Sequence, residues 1–224
     1  MGAEIQNRPI SGEQKKMAVL VFLIFVSAIT FAYIKIGLAP LLIIGVPGVF
    51  AYWFWFAKYL KNPLPSSVVL VPFLLTVAGF NFHVIEEYMG NYSQAVSRIF
   101  DFAWTEDSFF IVMMILTGAL FLVSIGLYYQ KAIAGFIAIL FVVTRFAEVL
   151  LFIFPFIKPQ IQPETAGLIS QHISGIFVAD MPNYYYPVTA HYYFPGMFTW
   201  LLTLAPALYF IFKVQNANRH KEII

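Results

Sequence analysis

The 224-residue chain contains no cysteine. Disulfide frameworks, thiolate nucleophiles and cysteine-ligated metals are therefore excluded. Charge is also scarce: 11% of residues are Asp, Glu, Lys or Arg, against about 25% in a typical soluble domain. A formal charge of +2 is too small to point to nucleic acid. The apolar segments lack the period-2 alternation of an outer-membrane barrel. There is no internal repeat, no low-complexity tract and no convincing signal-cleavage site after the first lysines. What the chain has is hydrophobicity, at 61% of residues with a mean hydropathy of +0.80, gathered into runs long enough to cross a bilayer. The fold class expected is all-α, a polytopic membrane helical bundle.

About six spans are expected. A polar tail over 1–16 precedes a single transmembrane domain over 17–213, and a second tail covers 214–224. The spans are Met17–Ile34, Gly37–Phe56, Val68–Glu87, Ser108–Tyr129, Ala132–Phe156 and Tyr193–Phe212. Pro40, Pro47 and Gly48 should bend the second. Tyr52, Trp53 and Trp55, followed by Lys58 and Lys61, resemble an aromatic and basic membrane edge. Ser66 or Ser67 is the candidate cap of the third span. Between 88 and 107, Val96, Ile99, Phe100 and Ala103 recur at helical spacing, as in a short interfacial helix. Thr105-Glu106-Asp107 then reads as a helix start. Nine Lys and Arg fall on the side of the termini and three (Lys35, Arg98, Lys158) on the other. By the positive-inside rule both termini are cytoplasmic.

The chemistry gathers in Phe82-His83-Val84-Ile85-Glu86-Glu87-Tyr88. At 100° per residue, Glu86 lies about 60° to one side of His83 and Glu87 about 40° to the other, so one helix face carries all three. Charged groups within a bilayer are costly and seek partners. The fifth span carries Arg145 and Glu148 at a depth similar to His83, roughly 20–24 Å from the cytoplasmic end. Arg145 can pair with Glu148, or across an interface with Glu86 or Glu87. Adjacent carboxylates beside an imidazole suit acid–base catalysis, with His83, Glu86, Glu87, Arg145 and Glu148 as the candidate catalytic set. Tyr185, His191 and Tyr193 could line a substrate site fed laterally from the lipid. A divalent metal is a sub-case: His83 with Glu86 or Glu87, plus His191 or Glu148, could ligate one. The second histidine of an HExxH helix is missing. His172 reads as a loop residue. Three readings stand: a membrane enzyme acting on a lipophilic small molecule, a structural salt-bridge network, and a small transporter. The lipid bilayer is the expected partner throughout.

The pentad His83-Val84-Ile85-Glu86-Glu87 resembles the signature of the HXXEE-motif membrane proteins, a group without an assigned activity. Phe194-Pro195-Gly196 is similar to a Pro-Gly step in that group. The resemblance implies a multi-span helical fold with His83, Glu86 and Glu87 as its defining residues, and no particular reaction. A weaker resemblance, to sterol-isomerase-like bundles, implies only that intramembrane His and Glu can move protons.

Overall fold

The structure is a computed structural model that describes residues 10–100, 102–150 and 195–219. Regular structure among these residues is helical: α1 (Gly12–Ile36), α2 (Leu38–Lys58), α3 (Ser66–Met89), α4 (Tyr92–Phe100), α5 (Glu106–Tyr128), α6 (Ala132–Glu148) and α7 (Trp200–Arg219). Four of them, α1, α2, α3 and α5, are long and apolar enough to cross a bilayer. Their large apolar side chains face outward freely, as at Ile34, Phe50 and Leu122. That pattern belongs to a protein whose solvent is lipid.

Local chemistry sets the helix ends. Ser11 accepts from the Gln14 amide, and Gln14 Oε1 accepts in turn from the Ser11 amide, a reciprocal cap on α1. Gln14 Nε2 also donates to the Leu60 carbonyl at 3.0 Å, tying this end to the chain after α2. Within α2 the winding loosens into a π turn over Leu41–Gly45, just before Pro47, which has no N–H to give. Thr105 caps α5, accepting from the Ser108 amide at 3.2 Å.

Several expectations are corrected. Neither Ser66 nor Ser67 caps α3: the first turn closes on the Pro65 carbonyl, which accepts from Val68 at 2.9 Å, and Ser66 already lies in the helix. Trp55 is no interfacial anchor. It is fully buried, with its indole donating to the Ala132 carbonyl at 2.8 Å. Trp53 remains outward. Two residues apart on a helix the side chains diverge by about 200°, so the pair cannot share one environment. The short helix α4 forms where the spacing suggests, yet Ser93 and Ser97 are buried with Val96, and Ser93 donates to Glu106 at 2.6 Å. The last helix begins at Trp200 rather than Tyr193. Residues 195–199 make turns, with the Trp200 amide donating to the Gly196 carbonyl at 3.0 Å.

The most extensive packing joins α3 to α7. It is close because Gly79 faces the Leu202 backbone, where a methyl group would collide with the carbonyl. α6 packs on α2, α5 and α7. α3 is thus held between α5 and α7, and α6 meets it through Phe141 and Glu148.

Candidate functional site

α3 turns the face bearing Thr76, Gly79, His83 and Glu87 into the protein. His83 is 1% exposed, Glu87 2%, and Glu148, contributed by α6, 6%. His83 Nε2 stands 3.0 Å from Glu148 Oε1 and 3.5 Å from Glu87 Oε1. On the other side of Glu148, Arg145 Nη1 reaches Oε2 at 2.7 Å. The guanidinium lies over the rings of Phe80 and Phe141, 4.7 and 5.2 Å from their centroids, a cation–π seat in an apolar wall. Thr144 is buried beside it, and its hydroxyl donates to the Phe141 carbonyl at 2.6 Å.

Glu86 goes elsewhere. Its carboxylate accepts from the amides of Phe198 (3.0 Å) and Thr199 (2.8 Å) and from the Thr199 hydroxyl (2.7 Å), closing the N-terminal end of α7. Unpaired N–H groups and a positive dipole make that a natural seat for a carboxylate. The same threonine meets His83 Nδ1 at 3.0 Å. Thr199 has one hydroxyl proton and gives it to Glu86. Its oxygen must therefore accept from His83, which assigns a proton to Nδ1. Nε2 is then the nitrogen left facing Glu87 and Glu148. Gly196 presses on the imidazole from the α7 side at φ +92°, and any Cβ there would overlap the ring.

Beyond these groups lies a cavity of about 660 Å³. Glu87, Arg145 and Glu148 form part of its wall, and most of the rest is apolar, including Trp104, Phe109, Met113 and Leu140. Ile36, Ile44, Val112 and Ile137 line it and are also exposed at the surface, so the space is not sealed from lipid.

His83, Glu87, Arg145 and Glu148, expected together, do meet, with charged side chains of two helices in contact. Glu86 stands one link back, through Thr199. Tyr185, His191, Tyr193 and His172 lie outside the described residues. Thr199 and Thr144 were not anticipated. Thr199 had one faint signal, a helix-capping residue type three positions after Pro195-Gly196; Thr144 had none beyond its neighbour Arg145.

Chemically, two buried carboxylates and one guanidinium leave a negative charge to be balanced. A proton shared among Nε2, Glu87 and Glu148 balances it and can be passed to a ligand in the cavity. No protein-family model, no curated protein and no solved structure matches the chain.

Proposed function

We propose that this protein is an intramembrane enzyme carrying out acid–base chemistry, an isomerisation, cyclisation or hydrolysis, on a lipophilic small molecule. One observation carries the reading: Arg145, with Glu87 and Glu148 that meet the buried His83, forms part of the wall of a mostly apolar cavity open toward lipid-facing side chains. Ligand sites are commonly apolar hollows with a few convergent polar groups, and ionisable residues inside a membrane suggest function first. In this reading Glu87 and His83 exchange the proton, Glu148 and Arg145 position it, and Glu86 orients the imidazole through Thr199. Tyr185, His191 and Tyr193 remain proposed substrate neighbours. The frame is a six-span bundle with α4 near an interface and both termini cytoplasmic, as the distribution of Lys and Arg favours. Kinship with the HXXEE-motif membrane proteins belongs to the same proposal.

The test compares lipid and metabolite profiles of cells making the wild type, Glu87→Gln, or no protein. A lipophilic species altered by the wild type and not by a normally inserted Glu87→Gln variant supports the enzyme. Indifferent profiles, with a Glu87→Gln protein that unfolds, leave a packing network instead.

A further inference from the structure

We infer that His83 Nε2, Glu87 Oε1 and Glu148 Oε1 are the protein ligands of a divalent transition-metal cation. Each of the three residues offers one ligand atom, and these atoms lie within 4.8 Å of one another. Nitrogen or oxygen ligands about 2.0–2.2 Å from a common ion, at tetrahedral angles, stand roughly 3.4 Å apart. The separations from Nε2, 3.0 and 3.5 Å, bracket that figure.

Two observations besides proximity point to a cation. The proton on Nδ1, required by the Thr199–Glu86 contacts, leaves Nε2 of a neutral imidazole with a lone pair aimed at two carboxylates. The Glu87 side chain is 3% exposed, with Nε2 3.5 Å from its Oε1. It shares a hydrogen bond with the Glu148 carboxyl, so two acidic groups and an imidazole lone pair crowd one buried spot. A dication that replaces the shared proton satisfies all three at once.

The surroundings also match a metal centre. Metal-binding histidines usually donate their other N–H to an oxygen that is itself held, and ligating carboxylates are hydrogen-bonded in turn. Here Nδ1 is held by Thr199 and Glu86, and the second oxygen of Glu148 is held by Arg145. Two carboxylates neutralise a dication, which leaves Arg145 and Glu86 as a balanced pair nearby. One imidazole with two carboxylates suits zinc, manganese or iron(II). Three protein ligands among the described residues leave a coordination position open, as in catalytic sites. Glu87 and Glu148 both line the cavity. A cation bound there would supply Lewis-acid polarisation of a substrate oxygen or a water. The inference deepens the enzyme reading and rests on the same side chains. Metal uptake is measured without substrate, however, so either can fail alone.

The full chain, purified in detergent and stripped with a chelator, is incubated with zinc or manganese chloride, desalted, and analysed for metal by mass spectrometry. Thermal unfolding is followed by tryptophan fluorescence on the same samples. The expected result is about one equivalent of one of the ions per chain, with a higher unfolding temperature. His83→Gln and Glu87→Gln should each retain at least tenfold less metal, and Glu13→Gln, at an exposed position, as much as the wild type. A wild type that keeps less than about a tenth of an equivalent of either ion overturns the inference. So does undiminished retention in both site variants. Should the substitutions prevent folding, the wild-type stoichiometry and its thermal shift still decide the matter.

Discussion

Gly196 and Gly118 make a controlled pair at the scale of single residues. Gly196 combines a backbone conformation that side chains rarely adopt with direct contact on the His83 ring, whereas a methyl at Gly118 would meet nothing. A residue forced into such a conformation costs about 1–3 kcal/mol, before the displaced imidazole is counted. Gly196→Ala should therefore lower the unfolding temperature and abolish whatever activity or metal uptake the site supports. Gly118→Ala, within α5, should leave both intact and stabilise the helix by about 0.5–1 kcal/mol. Tryptophan fluorescence on heating reads both. Equal effects from the two substitutions would remove the steric argument for how His83 is held. His83 itself shows why one residue's partners must be traced in full. Thr199, with a single hydroxyl proton, decides which imidazole nitrogen is available for chemistry.

At the scale of elements, α7 depends on α3 for its start. Helix N-termini leave amides without intrahelical partners, and Glu86 receives those of Phe198 and Thr199. Glu86→Ala removes that cap, for which a loss of roughly 1–2 kcal/mol is expected. Glu86→Gln, still able to accept through one oxygen, should lose less. Hydrogen exchange at the Phe198 and Thr199 amides should rise sharply in Glu86→Ala and only modestly in Glu86→Gln. Unchanged exchange in both would show that α7 begins without this carboxylate. The two neighbouring glutamates thus do different work: one joins helices end to side, the other joins the buried polar group.

Across the whole molecule, the absence of cysteine makes topology directly testable, because any introduced thiol is the only one present. Lys35 lies in the last turn of α1, Lys61 follows α2 and Lys131 follows α5. For a bundle with cytoplasmic termini, Lys61→Cys and Lys131→Cys should react with an impermeant maleimide only after the membrane is opened, whereas Lys35→Cys should react in intact cells. Lys35→Cys and Lys61→Cys labelling from the same side would break the proposed frame.

Composition alone placed this chain in lipid, since runs so apolar and so poor in charge have no stable soluble packing. Helical periodicity alone put His83, Glu86 and Glu87 on one face, because little more than one turn of a rigid helix separates them and leaves no freedom about it. Which glutamate would meet Glu148 lay beyond local periodicity. That depends on how α3 is rotated against α6 and α7, and Gly79 sets the rotation by letting the Leu202 backbone approach. The burial of Trp55 beneath α6 is of the same kind. Contacts between residues distant in the chain are chosen by mutual fit of surfaces, and only the assembled bundle brings those surfaces together.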